Sequence, residues 1–423
     1  MSKFKSFVIF LSSFFSLLLG LAFNENSSGG AKLDFEYLFP YIEGFKLDFK
    51  NGLSSYASDP ASIIHSPVFY ILVSFVYKFI DEVIIIKVIY IFFSSFFPLI
   101  FFLILKDRFK SKINILFIFS LIIFLSPYFR SSAIWLLGDN LSLIFFGLSI
   151  YYFNKINELK NITLKNSFLC LFFLILCCYI RYYYCLFALY YLFFFFKKIQ
   201  KNNFLFLIFI SFIFSFPALF YFSYIFLNYD FATTVTNYSQ INFYNNSLII
   251  LSILLFYLLP FCFFQKNLFL EYIRNNKKFM LVLFIILFSA YLIFQFVFPN
   301  FVNFSSRGGG VFMKMANLSN IDALLFLSVT SFFALIILDF FFQEKRLQNY
   351  SLLLILIFSF PVFTIYQKYF DPLFFLLFFG LIKSNMIKDI FLRDKISLIV
   401  IISYFSIFYL FSLIYYSGKF YQI

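Results

Sequence analysis

Apolar runs long enough to cross a bilayer alternate with short polar intervals along the whole chain. A transmembrane helix needs about 20 predominantly apolar residues, whereas a run of about 10 to 14 is typical of an interfacial or re-entrant segment. The shorter run 67–80 is therefore expected to lie in the outer interface of the membrane. The rest of the pattern predicts 13 transmembrane helices, near 6–23, 83–105, 113–128, 133–153, 166–180, 183–196, 204–227, 247–264, 279–298, 321–342, 351–366, 370–382 and 396–416.

The composition agrees with this pattern. Hydrophobic residues make up 63% of the chain and charged residues 12%, against roughly half and a quarter in soluble proteins. We therefore expect an all-α polytopic membrane protein with a single integral membrane domain over 1–423. Within it, 1–200 is interpreted as a catalytic module and 201–423 as a variable helical module. The five cysteines lie in apolar segments without ligand spacing, so they predict neither a disulfide framework nor a zinc site.

The net charge of +14 is first tested as a topology signal, because basic residues concentrate in the cytoplasmic loops of membrane proteins. With the N-terminus inside, the predicted cytoplasmic segments hold 22 of the 33 Lys and Arg. The charge is thereby explained without a nucleic-acid partner. The first apolar run lacks a small-x-small cleavage site directly after it, so we expect an uncleaved anchor. The C-terminus is predicted to lie outside.

The longest polar interval, 31–67, directly follows the first predicted helix. It carries five of the 19 carboxylates and the single histidine, His65. Asp34 and Glu36 lie two residues apart beside aromatic residues near the headgroup plane, where a carboxylate can act as a general base. The same D-x-E spacing also occurs in ordinary solvated loops. Both interpretations stay open on spacing alone.

A second outer loop contains Arg130, the only tryptophan Trp135, and Asp139. Asp139 is predicted about two turns into an apolar helix, where an ionisable residue is costly and usually functional. Two structural alternatives remain. Arg130 and Asp139 could form an ion pair that holds the loop, or Asp139 could be an N-terminal acid favoured by the helix dipole.

Isolated basic residues near the predicted outer face are candidates for binding an anion. Arg181 lies among tyrosines at the turn of a predicted hairpin, where a guanidinium can bind a phosphate through two parallel hydrogen bonds. Lys87, near the outer end of a predicted helix, either snorkels to the interface or points inward at a phosphate. Arg307 precedes three glycines, and Lys368 and Tyr369 lie in a short outer turn.

The arrangement resembles the GT-C superfamily of polytopic glycosyltransferases, whose donors are polyprenyl-phosphate sugars. Asp34-Phe35-Glu36 resembles the modified D-x-D motif of their first outer loop, and His65-Ser66-Pro67 resembles the start of their Pro-initiated apolar helix. Asp139 corresponds to a second acidic position between the third and fourth helices. The nearest branches are the protein O-mannosyltransferase-like family and the terminal glucosyltransferase of lipid-linked oligosaccharides, although Lys368 stands where the latter has an arginine.

The resemblance implies sugar transfer with inversion, from a polyprenyl-phosphate donor to a lipid-linked or cell-surface glycan or lipid acceptor. The reaction is expected on the non-cytoplasmic face of a bacterial inner membrane, with interfacial helices in the first outer loop. Asp34 or Glu36 would be the base. Asp139 would position the acceptor or, with Asp34, hold Mg²⁺ or Mn²⁺, a cofactor that the sequence leaves open. The residues expected to bind substrate are His65, Arg130, Arg181, Arg307, Lys368 and Tyr369.

Two other classes of function share many of these features. A flippase or transporter for polyprenyl-linked glycans also binds phosphates, but it predicts polar residues distributed through many membrane helices. An O-antigen-type polymerase or ligase also has outer arginines, but it predicts a large outer loop late in the chain. Here the polar side chains concentrate near the outer face, and the longest loop is the first one.

Overall fold

The computed structural model of the chain describes residues 2–59, 66–109, 113–158, 163–228, 242–263, 265–299, 302, 304, 308–392 and 395–416. His65 and Arg307, two of the predicted substrate-binding residues, lie outside these ranges. The described residues form α-helices joined by short 3₁₀ and π segments, without a β-strand. Because a chain this apolar must satisfy its backbone hydrogen bonds internally, helix is the expected outcome. The all-α prediction is confirmed.

Two compact units make up the chain. The first contains residues 1–235 with 379–381 and 405–423. Its helices are α1 (Ser2–Ala22), α2 (Ala31–Leu47), α3 (Phe49–Ser58), α4 (Val68–Ile80), α5 (Val83–Ser94), α6 (Phe96–Phe109), α7 (Ile113–Ser120), α8 (Pro127–Ile134), α9 (Asp139–Glu158), α10 (Leu164–Ile180), α11 (Phe187–Lys198) and α12 (Lys201–Asn228).

The second unit contains residues 236–378 and 382–404. Its helices are α13 (Phe243–Phe263), α14 (Lys266–Asn275), α15 (Lys277–Leu292), α16 (Gly310–Leu318), α17 (Ala323–Phe342), α18 (Arg346–Phe358), α19 (Leu373–Leu376) and α20 (Asn385–Leu392). The last helix, α21 (Lys395–Ile414), begins in the second unit and ends in the first.

Six helices in the described residues are long and apolar enough to cross a membrane, or up to eight if each of two bent pairs counts as one crossing. This agrees with a polytopic membrane protein, but the predicted number of 13 is not confirmed. Part of the difference comes from apolar runs that form helices of only 10–17 residues, and part from sharp bends between consecutive helices. The segments 113–125 and 127–134 meet at 65°, and 367–381 and 385–391 meet at 107°.

Side-chain amides in the second unit bond to irregular backbone just after α18 and beside the second break. Asn246 Nδ2 donates to the carbonyls of Phe360 at 3.3 Å and Val362 at 2.9 Å. Asn349 Nδ2 donates to the Lys383 carbonyl at 2.9 Å, and Asn349 Oδ1 accepts from the Lys383 amide at 3.0 Å. Irregular backbone inside an apolar bundle is tolerated only with such partners.

The first predicted outer loop is helical, because α2, α3 and α4 pack on one another around Tyr56. The Tyr56 ring lies 5.3 Å from the ring of Tyr41 and 5.6 Å from that of Tyr70, and its side chain is fully buried. Asp48 separates α2 from α3 and caps α3 by accepting from the Lys50 amide at 2.8 Å. The position of these helices relative to a membrane remains a prediction.

Candidate functional site

The predicted acidic pair lies on α2 in the first unit, within the first two turns of the helix. Asp34 is half-buried, whereas the Glu36 side chain is 53% exposed and forms an ion pair with Lys32 at 3.8 Å. Residues two positions apart on an α-helix point about 200° away from each other. The carboxylates of Asp34 and Glu36 therefore do not converge on one point, and the D-x-E spacing describes two separate environments.

Two contacts fix α2 against the rest of its loop. The hydroxyls of Tyr37 and Tyr41 both donate to the Asp59 carboxylate, which follows α3. Burial and this hydrogen bond raise the pKa of Tyr37, so the phenol stays protonated as a donor. Near the end of α2, Lys46 donates to Asp81, and that hydrogen bond raises the pKa of Lys46. The helix that carries Asp34 is thus held at its middle and at its C-terminal end.

Lys87 on α5 is a buried ammonium between two aromatic rings. Its Nζ lies 4.1 Å from the ring centroid of Phe35 on α2 and 4.1 Å from that of Trp135, and the residue is 8% exposed. Within the described ranges, no hydrogen-bond acceptor or ion-pair partner reaches its Nζ. Glu36 acts on Lys87 electrostatically but lies beyond ion-pair distance and contacts Lys32 instead. This ammonium is turned inward and does not snorkel to the surface.

Two rings attract a cation through their faces, but they supply less than a full counter-charge. An ammonium buried without an acidic partner is costly, because desolvation is not offset. Such a group becomes favourable when an anion arrives. The Lys87 site defined by Lys87, Phe35 and Trp135 therefore has the chemistry of an anion-binding site.

The loop that carries Trp135 is tied to the same helix as Lys87. The Tyr90 hydroxyl, one turn after Lys87 on α5, donates to the Leu137 carbonyl. The Trp135 Nε1 donates to the Glu25 carbonyl at 2.8 Å. A Cβ atom on Gly138 would lie 3.1 Å from both Ile180 and Phe69 side-chain atoms, so the loop also packs tightly on its other side. Trp135 is consequently held in one orientation.

Asp139 and Arg181, predicted from two separate loops, form one ion pair. Arg181 Nε lies 3.0 Å from Asp139 Oδ1, and Arg181 Nη2 lies 2.9 Å from Asp139 Oδ2. The side chains are 10% and 15% exposed for Arg181 and Asp139. Asp139 is the first residue of α9, so its predicted place two turns inside a helix was wrong. The chain reaches helical geometry only after the turn at Gly138.

Arg130 is also paired, but with a residue that the sequence analysis did not select. Its Nε and Nη2 donate to the carboxylate of Glu25 at 2.8 and 2.6 Å, and its Nη1 donates to Ser16 Oγ at 2.6 Å. The alternative ion pair between Arg130 and Asp139 is therefore not formed. All three nitrogens of Arg130 are used inside the protein, which favours a structural role over the predicted substrate binding.

Glu25 was missed because it lies in a short polar stretch that looked like a simple exit from the first apolar run. The signal was present: one carboxylate follows directly after an apolar helix, at a depth where unpaired charge is costly. Its partner, however, is 105 residues away in the chain.

In the second unit, the glycine-rich segment and the Lys368 segment meet. Gly308, Gly309 and Gly310 all have positive φ, at 90°, 75° and 73°. The Gly309 amide donates to the Ile365 carbonyl at 2.7 Å, and a Cβ on Gly308 would lie 2.6 Å from that oxygen. The glycines thus allow a close backbone approach. The Gly309 amide is therefore used within the fold.

Lys368 and Tyr369 lie shortly after Ile365, whose carbonyl accepts the hydrogen bond from the Gly309 amide. Lys368 is half-buried with its Nζ 5.4 Å from the Tyr366 ring centroid, and Tyr369 stacks on Phe360 at 5.6 Å between ring centroids. These contacts account for the packing of both residues. Their predicted substrate contacts remain predictions.

A metal site was left open for Asp34 and Asp139. Both carboxylate oxygens of Asp139 accept hydrogen bonds from Arg181. The described part of the chain contains no group of three or more His, Cys, Asp or Glu side chains that could hold a metal ion. Because Mg²⁺ and Mn²⁺ require oxygen ligands with free lone pairs, Asp139 fits an ion-pair partner better than a metal ligand.

The first unit thus contains three groups of contacts among the residues discussed: the Lys87 site, the Asp139–Arg181 pair and the Glu25–Arg130 pair. The Glu25–Arg130 pair is linked to the Lys87 site through Trp135. Comparison with protein-family models, with curated proteins and with solved structures found no match.

Proposed function

We propose that the chain is a membrane glycosyltransferase that transfers a sugar from a polyprenyl-phosphate donor to a lipid-linked or cell-surface acceptor on the non-cytoplasmic face. The observation that carries the proposal is Lys87. Its ammonium is buried between Phe35 and Trp135 without an acidic partner among the described residues. One phosphate of a lipid-linked sugar supplies the missing negative charge, and the apolar surroundings suit its lipid.

In the proposed reaction, the Lys87 ammonium stabilises the negative charge that develops on the departing phosphate. The acceptor hydroxyl oxygen attacks the anomeric carbon, the bond from that carbon to the phosphate oxygen breaks, and polyprenyl phosphate leaves with the electron pair. Negative charge therefore grows on the phosphate oxygen beside Lys87. A fixed ammonium in a water-poor site stabilises such developing charge more than it would in water. Attack opposite to the leaving group inverts the anomeric centre.

Asp34 is the base in this proposal. It is half-buried on α2, next to Phe35 in sequence, whereas Glu36 is exposed and paired with Lys32. Because the two carboxylates point to different sides of the helix, one of them suffices to take the proton from the acceptor hydroxyl. Asp34 lies in the first turn of α2.

The Asp139–Arg181 pair serves as the second polar element. Asp139 occupies two nitrogens of Arg181, and the described residues supply no hydrogen bond to Arg181 Nη1. In this proposal, that third nitrogen and the fixed carboxylate orient the acceptor or the donor sugar. The pair thus replaces the metal ion that the resemblance had left open.

The test is sugar transfer in membranes that contain the full-length protein, with polyprenyl-phosphate hexoses as donors. Lys87→Met is expected to lower transfer by about 100-fold, the effect of removing one transition-state donor. Lys78→Met is the matched control, because Lys78 is an exposed lysine on α4. Asp34→Asn should abolish transfer and Glu36→Gln should retain it. Normal transfer by Asp34→Asn would contradict the assignment of Asp34 as the base, and normal transfer by the double variant would exclude Glu36 as well.

Binding and transfer should also be measured separately. If the wild-type protein binds polyprenyl-phosphate sugars through Lys87 but moves them across a vesicle membrane without transfer, the protein is a flippase, and the transferase proposal fails.

A further inference from the structure

We propose that Glu25 and Arg130 are positioning residues for the Lys87 site, because their ion pair holds Trp135 against the ammonium. The inference rests on the proposed function only for the identity of the anion, a lipid phosphate. The arrangement of the pair, the tryptophan and the lysine is a property of the ligand-free protein.

The ion pair is enclosed and fully bonded. The side chains of Arg130 and Glu25 are 8% and 7% exposed. Ser27 Oγ donates to Glu25 Oε1 at 2.8 Å, and Arg130 Nη2 also donates to the Ser16 carbonyl at 3.2 Å. A buried pair gives little net stability, since desolvation offsets attraction, but it permits few alternative geometries. Its effect is to define the path of the chain after α1.

Glu25 links the ion pair to Trp135 through its backbone carbonyl. The carboxylate is held by Arg130, while the carbonyl of the same residue accepts from Trp135 Nε1 at 2.8 Å. The opposite face of the site is formed by Phe35, whose ring centroid lies 6.1 Å from that of Trp135. Lys87 Nζ, 4.1 Å from each ring, therefore depends on where Glu25 places its carbonyl.

The last helix covers the pair from another side. The Tyr409 ring centroid lies 5.3 Å from Arg130 Cζ, and Ser412 Oγ donates to the Ser27 carbonyl at 2.7 Å. These contacts lie within the first unit and keep water from the pair. They also explain how a loop residue can hold a fixed orientation without belonging to a helix.

α1 packs tightly against the Glu25–Arg130 ion pair at Gly20. A Cβ atom on Gly20 would lie 2.7 Å from Glu25 Oε2, 2.6 Å from Ile134 Cδ1 and 3.2 Å from Arg130 Nη2. By contrast, a Cβ on Gly30 would meet no atom within 4 Å. Gly20→Ala and Gly30→Ala therefore form a matched pair of variants that add the same methyl group with and without pressure on the pair.

Trp135 provides the readout, because it is the only tryptophan in the chain. Its emission spectrum is measured in the detergent-solubilised full-length protein, first alone and then during titration with a polyprenyl monophosphate. We expect a saturable change in wild-type emission. In Gly20→Ala, the ligand-free emission should shift to longer wavelength and the Kd should rise about 10-fold, as is typical when a supporting residue is displaced. Gly30→Ala should match the wild type.

A second variant removes the pair without adding volume. Glu25→Gln with Arg130→Met eliminates both charges, so neither is left buried alone and the fold should persist. The same red shift and weaker phosphate binding are expected. Unchanged emission and unchanged Kd in both Gly20→Ala and this double variant would overturn the positioning role. Absence of phosphate binding by the wild type would instead overturn the proposed function.

Discussion

Asp339 in the second unit and Lys87 in the first are both buried charges, but their surroundings are opposite. The Asp339 side chain is 2% exposed and accepts from the Tyr272 hydroxyl at 2.6 Å, the Tyr350 hydroxyl at 2.9 Å and Arg346 Nη2 at 2.8 Å. Lys87 is enclosed by rings alone within the described residues. A buried charge with full partners belongs to the fold, whereas one without them points to a ligand.

The largest effect is expected for Asp339→Ala. It leaves the buried Tyr272 hydroxyl, the partly buried Tyr350 hydroxyl and the half-exposed Arg346 guanidinium without their acceptor, which should lower the unfolding free energy by about 3 kcal/mol. Thermal unfolding of the full-length protein in detergent measures the loss. Glu271→Gln, an exposed position on α14, is the control and should change stability by less than about 0.5 kcal/mol. An unchanged unfolding midpoint for Asp339→Ala would show that the hydrogen bonds of Asp339 do not stabilise the fold.

Arg181→Lys should have the next largest effect. Lysine keeps the charge but cannot make the two parallel hydrogen bonds to Asp139, so stability should fall by about 2 kcal/mol. The exposed Arg274→Lys serves as control in the same unfolding experiment. If Arg181→Lys unfolds like the wild type, the ion pair contributes less to the fold than its geometry indicates.

Lys87→Met should act in the opposite direction on stability. Because it removes an ammonium that has no acidic partner, the unfolding free energy should rise by about 1 kcal/mol while transfer is lost. Opposite changes in the unfolding midpoint and in the transfer rate distinguish a ligand site from a structural residue. A marked loss of stability would show that Lys87 supports the fold as Asp339 does.

Glu36→Gln should have the smallest effect. The pair with Lys32 is exposed and spans one helical turn, so its loss should cost about 0.3 to 0.5 kcal/mol at low salt and less at 1 M salt. Unfolding measured at the two salt concentrations tests this. A cost above about 1 kcal/mol that salt does not reduce would indicate a role for Glu36 beyond this pair.

The sequence predicted the helical class, which the structure confirms. Apolar run lengths and the low charge content lead directly to an apolar helical protein, because only helices satisfy so much apolar backbone. The number of crossings did not follow, since several apolar runs form helices of only 10–17 residues and others end at sharp bends, such as the one after Leu381. There the side-chain amide of Asn349 bonds to the Lys383 backbone, and no local pattern announces it.

Asp34 and Glu36 show the same contrast between what the sequence predicts and what the fold decides. Their spacing is visible in the sequence, but the helical conformation of α2 decides that Asp34 and Glu36 point apart. Likewise, Arg181 was selected as an isolated cation and Arg130 was given Asp139 as a possible partner. In the structure Arg130 pairs with Glu25 and Arg181 with Asp139, 105 and 42 residues away. Burial energetics predict that such partners exist, but not which residues they are.

By itself, therefore, the sequence determined that this is an all-α, strongly apolar protein with a few charges that must be paired or used. Periodicity and composition are local properties, and they suffice for that conclusion. Only the tertiary structure decided which charges are paired. It brings Phe35, Lys87 and Trp135 together from three separate elements, and the absence of a counter-charge within that group of described residues depends on their arrangement in space.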